Sequence, residues 1–472
     1  MRKTKIIATI GPASRDLETL DQLIVAGMDC ARLNFSHGTM EEHAEVIHTV
    51  RKLSEKHGRP IAIFQDLGGI KLRLGYMKEA VELRHGEEVY ILPDEASDRP
   101  DVLPFPQPAV IRNLRPGNLV FISDGVVCLE VLETDGQKVK TRVRNGGTLS
   151  SYKGLNLPGV SIDDPVLTDD DKVALKFGVE QGVDWVGVSF VRTLEDMLYA
   201  KAFLNSIGSK ARVMAKLERS EGIENIDSIL QEVDGVMVAR GDLGVEIPME
   251  RVPIVQKEIV RKAGERAKAS CIATQMLRSM MFSPTPSRAE LSDIANAVLD
   301  GCDSILLSDE IAVGQYPVEA VRMADITIRE AEKIYPYYKD LESWDRTQAI
   351  AAAAADLTRA LNSKPVVVTS TGRAAFEVSR FRPEHDIIVF SHDESVLRKL
   401  ALAWGVVPVG VIPPEPDIAK LVSMLIKESL STGLVAETDV VTIVHGFMTG
   451  VSGTTNTIQV LHVQDYLARS GQ

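Results

Sequence analysis

Eight short apolar runs, rich in β-branched residues, recur between residues 5 and 308, and their rhythm limits the fold more than any other feature. They are Lys5–Thr9, Asp29–Asn34, Ile61–Asp66, Trp185–Phe190, Val213–Glu218, Val236–Arg240, Cys271–Thr274 and Ser304–Ser308. Between them lie stretches such as DLETLDQLIVAG, TDDDKVALKFGVEQG, TLEDMLYAKAFLNS and SRAELSDIANAVLDG, with apolar residues at i, i+3 and i+4 and Ser, Thr or Asp at several starts. That spacing and capping predict helices. Runs apolar on both faces leave no wet side, so their alternation with helices predicts a parallel sheet covered on both faces. Eight such units is the count of a closed (β/α)8 barrel.

The rhythm breaks between about Gly69 and Ser161. Short alternating runs (VELRHGEEVYIL, NLVFIS, VCLEVLE, KVKTRVR) appear there, with turn signals at Arg115–Asn118, Thr134–Gln137 and Asn145–Gly147. This is the pattern of a small all-β domain inserted after the third barrel strand, with Gly68–Gly69 and Asn156–Gly159 as hinges. After Tyr338 a helix (AIAAAAADLTRAL) leads into PVVVTSTGRAA, DIIVFS, VVPVGV and DVVTIVHG, an α/β unit with several short parallel strands. The expected fold is α/β: a TIM barrel over residues 1–68 and 162–338, an inserted small β-barrel domain over 69–161, and a C-terminal α/β domain over 339–472. Three domains also suit a chain of 472 residues at about 150 residues each.

Charge and cysteine usage exclude several classes. The formal net charge is −13 with no long basic block, which argues against nucleic acid; any anionic ligand must be held by locally clustered Arg and Lys. No apolar run reaches the ~20 residues of a membrane span. The N-terminal MRKTKIIATIGPAS reads as a first strand rather than a signal peptide. Cys30, Cys128, Cys271 and Cys302 are scattered without paired spacing, as expected of a reduced, cytoplasmic protein with buried thiols and no cysteine metal site.

A barrel of this kind carries its active site at the C-terminal ends of its strands. The residues ending the runs are Arg32, Asn34, Ser36 and His37; Asp66; Lys216 and Glu218; Arg240, Gly241 and Asp242; Thr274 and Gln275; and Ser308, Asp309 and Glu310. Glu218 and Asp242, from neighbouring strands, suit a Mg²⁺ ion completed by substrate oxygens; the alternative is a salt-bridge cluster at the rim. Lys216 faces the same side as Glu218 and can neutralise charge during phosphoryl transfer, or simply pair with Glu218. In QDLGGIKLRLG, Gln65–Gly75, Lys71 and Arg73 alternate just past Asp66 and aim two cations one way; for Lys71 the alternative is a solvated surface lysine. In VVVTSTGRAA, Thr369, Ser370, Thr371 and Arg373 surround a strand-to-helix turn. That is either an anion pocket or an ordinary hydroxyl cap.

TKIIATIGPAS, ARLNFSHG, AKLERSEGIENIDSIL, DGVMVARGDLGVEIP, ATQML and SRAELSDIANAVLDGCDSILLSDEIAVGQYP occur in one order from residue 4 to about 320. In that order they resemble the serial motifs of pyruvate kinases, and the likeness continues more weakly to SGTTNTI at Ser452–Ile458. The resemblance implies a glycolytic phosphotransferase moving the phosphoryl group of phosphoenolpyruvate to ADP, giving ATP and, after protonation of the enolate, pyruvate. It implies Mg²⁺ or Mn²⁺ on Glu218 and Asp242, and Lys216 stabilising the phosphoryl group in flight. Thr274 would take part in enolate protonation, and the amides at Gly241 and Asp242 would hold the substrate carboxylate. Arg32 and Arg73 would contact phosphate oxygens. Asn34, Ser36 and His37 would line the nucleotide and cation side, with Asn34, Ser36 and Asp66 as cation ligands. Asp124 of the inserted domain would reach the site when that domain closes as a lid and excludes water. A phosphorylated effector would bind at Thr369–Arg373, and the assembly would be a homotetramer.

The sequence departs from the family at one informative place. The usual DTKGPEIR reads DLGGIKLR, which keeps Asp66 and Arg73 but brings Leu67, Gly68, Ile70 and Lys71. In the family a glutamate at the position of Lys71 goes with dependence on K⁺ and a lysine with independence from it, since a tethered ammonium can replace a mobile cation. At ~4 Å and an effective dielectric of ~20, such a charge is worth roughly 4 kcal/mol against an anion. The usual LSGETAKG reads LSDEIAVG (Asp309, Ile311, Val313), and Asp170 stands where a lysine is common; with Gly68, two lysines of the nucleotide side are absent. A non-catalytic sensor and a metal-dependent aldolase are the competing readings. The intact Lys216, Glu218, Asp242 and Thr274 argue against the first, and the two extra domains against the second.

Overall fold

The computed structural model describes residues 1–123, 125–160, 164–446 and 453–470. Eight strands form the barrel: β1 (Lys5–Thr9), β2 (Cys30–Asn34), β3 (Ala62–Asp66), β4 (Trp185–Val188), β5 (Arg212–Leu217), β6 (Gly235–Ala239), β7 (Ala269–Ala273) and β8 (Ser304–Leu307). They close in sequential order with every pairing parallel, and β1 meets β8 through Lys5 opposite Ser304. The cause is visible in the runs themselves: β1, β3, β6 and β7 are buried at every residue.

Strand parity then decides which side chains enter the barrel. Ile7, Cys30, Phe64, Met214, Met237 and Cys271 fill its interior, while Ile6, Ala31, Ile63, Ala215, Val236 and Ile272 face the surrounding helices. Two residues further along each strand the same parity brings Arg32, Asp66 and Lys216 inward, above the apolar plug. The helices begin where their caps dictate. Thr39, Thr168, Thr193 and Ser287 each form a capping box with an acidic residue three positions on, an arrangement worth about 1 kcal/mol apiece.

The segment between β3 and β4 packs around its own apolar cluster, from Leu72 and Leu74 through Ile91, Val120 and Val143 to Leu157 and Val160. Its strands form a six-stranded sheet in the order Leu155–Asn156, Leu119–Ile122, Val127–Thr134, Val139–Asn145, Glu88–Leu92, Val102–Pro104, with two two-stranded ribbons beside it. The Thr134–Gln137 turn joins the two longest strands.

The C-terminal region forms a five-stranded sheet in the order Val406–Val411, Ile387–Ser391, Lys364–Thr369, Val440–Gly446, Thr455–His462. The first four are parallel, as the sequence suggests. The last departs from that pattern and pairs antiparallel with Val440–Gly446, because it is an edge strand with only part of each face covered and does not need the helix crossover of a buried parallel strand. This unit seals the N-terminal end of the barrel. The Trp185 indole donates to the Lys399 carbonyl at 3.0 Å, and its ring packs edge-on against Phe376 at 6.5 Å. Among the described residues no helix is long and apolar enough to cross a membrane. All four cysteines are free, and burial pushes the Cys271 thiol up to about 12.

Candidate active site

The C-terminal mouth of the barrel holds a cleft lined by Arg32, Asn34, Ser36, Asp66, Lys71, Lys216, Glu218, Asp242 and Thr274, together with Ser189, Phe190 and Ser308. Most of the charged groups expected from the strand ends therefore meet in one place.

Lys216 is its hub. The ammonium donates to Ser189 Oγ at 2.8 Å and lies 3.0 Å from Asp66 Oδ1 and 2.9 Å from Glu218 Oε1. Burial alone would lower its pKa, but the two carboxylates more than offset this and hold it above the usual lysine range. Asp66 is buried too, and Lys216 and Arg32 keep it ionised below the usual carboxylate range. Arg32 Nε donates to Asp66 Oδ2 at 2.6 Å and Nη1 to Thr9 Oγ at 2.9 Å, so the guanidinium is held from two strands. Glu218 moves the other way: burial and the like charge of Asp242 raise its pKa despite Lys216. Its second oxygen accepts the Phe190 amide at 2.8 Å.

That elevation provides the test for a metal. Two carboxylates, one of them only 3% exposed, crowd each other at the mouth. Among the described residues no group of three or more His, Cys, Asp or Glu is arranged to hold a metal ion by itself. Such a donor set fits a hard divalent cation that takes its remaining oxygens from substrate and water, as Mg²⁺ does, and does not fit a closed protein cage.

Thr274 takes an unusual backbone, with φ +72, followed by Gln275 at φ +57. Its hydroxyl donates to the Ala273 carbonyl at 2.6 Å and accepts the Gly241 amide at 2.8 Å. Lys71 Nζ donates to Ser36 Oγ at 3.2 Å, and Ser36 is itself fixed by its amide on Asn34 Oδ1 at 3.1 Å. Withdrawal from water and the like charge of Lys216 push the Lys71 ammonium down, with Asp242 pulling it back.

Other expected residues lie apart. Arg73 does not line the cleft; its guanidinium donates to the Tyr152 carbonyl at 3.0 Å. The His37 side chain is exposed, and its carbonyl bonds His43 Nε2 at 3.0 Å. Asp124 and Ser452 fall outside the described residues. In the C-terminal turn Thr369 Oγ accepts the Gly372 amide at 2.9 Å, while Arg373 pairs with Asp345 and stands 3.7 Å from Glu377. Ser370 opens the same turn, directly after the strand, and is half-buried.

Two residues of the mouth escape a reading of the sequence. Ser189 passes the hydrogen bond of Lys216 on to the Leu67 carbonyl at 2.8 Å, and Phe190 sits at φ +55, where its amide reaches Glu218. The only signal was their place just after β4, since neither carries charge.

A (β/α)8 barrel whose mouth combines a buried Lys with the carboxylates of Glu218 and Asp242 defines a class, the metal-assisted barrel enzymes acting on anionic substrates. The comparisons narrow it. Residues 1–321 match the family model for the pyruvate kinase barrel domain, and residues 348–461 that for the pyruvate kinase alpha/beta domain. A pyruvate kinase of Bacillus licheniformis is 41% identical over 99% of this chain and 82% of its own length. One of Thermococcus litoralis is 39% identical over 98% of each chain, and one of Geobacillus stearothermophilus 39% identical over 99% of this chain and 81% of its own. The chain belongs to the pyruvate kinase family, and as an enzyme of that family its substrates are phosphoenolpyruvate and ADP.

Proposed function

We propose that this enzyme transfers phosphoryl groups without needing K⁺, with the Lys71 ammonium serving as its built-in monovalent cation. The observation that carries this reading is the 3.2 Å contact from Lys71 Nζ to Ser36 Oγ. Ser36, with Asn34 and Asp66, is where the family resemblance puts the cation ligands. Gly68 supports it further: a side chain there would come within 3.1 Å of Ser36 Oγ, so the missing side chain keeps that space open for Lys71.

The rest of the mouth supports a division of labour. Arg32 and Lys216 present positive charge to the phosphoryl group, and Lys216 stays protonated because Asp66 and Glu218 flank it. Glu218 and Asp242 hold the divalent ion, which when bound withdraws charge from the phosphoryl oxygens. Phosphoenolpyruvate sets its carboxylate against the Gly241 and Asp242 amides, displacing the Thr274 hydroxyl from Gly241 and freeing it to relay a proton to the enolate. Arg73 and His37 serve only once residues 69–161 close as a lid, with Asp124 brought in by the same motion. A phosphorylated effector at Thr369–Arg373 has to take Arg373 from Asp345, so its binding is coupled to breaking that pair. The active assembly is a homotetramer, and the location cytoplasmic.

The test is pyruvate formation from phosphoenolpyruvate, ADP and Mg²⁺ in buffers free of K⁺ and Na⁺. Turnover is expected to change less than about twofold on adding K⁺. Lys71→Glu is expected to lose at least tenfold without K⁺ and to recover when K⁺ is supplied. Strong K⁺ activation of the unaltered enzyme rules the Lys71 proposal out.

A further inference from the structure

The turn after β7 places two consecutive non-glycine residues, Thr274 and Gln275, in the left-handed region. For a β-branched residue that conformation is rare and persists only where the surroundings impose it. One side chain from the end of the neighbouring βα unit does so. Arg240 opens the helix Arg240–Glu246 that follows β6. Its Nη2 donates to the Thr274 carbonyl at 2.7 Å and its Nε to the Ala273 carbonyl at 3.2 Å. Nη2 also lies 2.8 Å from Met276 Sδ on the far side of the turn. The guanidinium is in turn fixed by Asp293, which accepts from both terminal nitrogens at 2.7 Å, and by Gln256 Oε1 at 3.4 Å.

We infer that Arg240, anchored by Asp293, is a positioning residue for the proton-transfer half of the reaction: it holds the Thr274 backbone in its strained turn and so aims the hydroxyl. The inference rests on the proposed role of Thr274. The step balances with one solvent proton: the hydroxyl passes a proton to C3 of the enolate and takes one back from the adjoining water, which is reprotonated from bulk solvent, while C2–O closes to a carbonyl and nothing is oxidised or reduced. The planar fork matters more than the charge. A lysine at 240 keeps the ion pair with Asp293 but cannot reach two successive carbonyls as well.

The test uses Arg240→Gln, Arg240→Lys and Thr274→Ala in the full chain. It reads steady-state turnover and, separately, exchange of the pyruvate methyl hydrogens with D₂O in the presence of Mg²⁺ and ATP. By microscopic reversibility that exchange reports the proton step alone. Both Arg240 variants are expected to lose about 100-fold in kcat, the scale of an ~1 Å misplacement. Exchange should fall in parallel, with KM for phosphoenolpyruvate within about threefold. Arg240→Gln added to Thr274→Ala should change kcat by less than about twofold, because groups acting through one another are not additive. Exchange retained above a third in the Arg240 variants overturns the inference, as does an additive double variant. Turnover and exchange both unchanged in Thr274→Ala would instead overturn the reading of Thr274 on which it rests. Should Arg240→Gln fail to fold, Arg240→Lys and Asp293→Asn carry the same test.

Discussion

At the scale of single residues, one carboxyl outside the mouth titrates far from its ordinary range: Glu246, at the end of the helix that begins with Arg240. Its carboxyl is buried, and one oxygen has no hydrogen-bond partner among the described residues. Burial is the main cause that raises its pKa from 4.5 to about 7; Arg219 and a hydrogen bond with Asn156 oppose it, while Glu221 and Asp242 add to it. The sign of the consequence is fixed. Between pH 4.5 and about 7 the folded state holds a proton that the unfolded state has lost, so stability falls as pH rises through that window, by up to ~3 kcal/mol. Glu246→Gln, which mimics the protonated form, is expected to remove this slope, leaving denaturation midpoints at pH 5 and pH 8 closer together than in the unaltered protein. An unchanged pH difference in the variant would show that the slope originates elsewhere.

At the scale of elements, strand parity and the junction between β3 and the inserted segment carry most of the logic. The eight barrel strands are legible in the sequence because each is a continuous apolar run, set in an alternation with helices that only the inserted segment interrupts. Parity of two then brings Arg32, Asp66, Lys216 and Glu218 to one mouth. What the sequence could not convey is how backbone groups complete that mouth. Ser189 and Phe190 contribute a hydroxyl and an amide that no residue type advertises. Arg73, drawn by alternation as a partner of Lys71, turns its guanidinium to the Tyr152 carbonyl, where its backbone pairs with Gly154. The two glycines of QDLGGIKLRLG gain a reason here. Gly69 has φ +63, and a methyl group on it would sit 2.8 Å from Ser189 Cβ, the residue that holds Lys216. Gly69→Ala is therefore expected to cost about 1–3 kcal/mol and to lower kcat by displacing Ser189. Gly86→Ala, at φ +86 with nothing within 4 Å, should show the backbone cost alone with kcat unchanged. Equal kcat in the two variants would separate Gly69 from the site.

At the scale of the whole molecule, the question is what joins the C-terminal unit to a barrel already closed on itself. The joint is built on the barrel seam. Asp303, just before β8, accepts the amide and hydroxyl of Ser270 in β7 at 2.9 and 3.0 Å, so it ties the two strands at their N-terminal ends. Its other oxygen accepts Arg382 Nη1 of the C-terminal unit at 3.0 Å. Arg382 also donates to the Gly301 carbonyl at 2.9 Å and lies over the Trp404 ring at 4.9 Å. Both partners are at most 5% exposed, so neither can turn to water if the other is removed. Removing one member of such a pair leaves an uncompensated buried charge at a cost of about 3–5 kcal/mol. Arg382→Met is accordingly expected to lower the free energy of unfolding by that amount, measured by denaturant titration, because the unpaired Asp303 sits at both the domain joint and the barrel seam. Arg99→Met offers the comparison: its partner Asp101 lies 2.6 Å away, but the two side chains are 61% and 44% exposed, and a loss below ~1 kcal/mol is expected there. A loss of similar size for the two variants would mean that Asp303 finds other compensation, from Ser270 and the Trp404 amide 3.3 Å away, and that the apolar contact of Trp185 with Phe376 carries the joint instead.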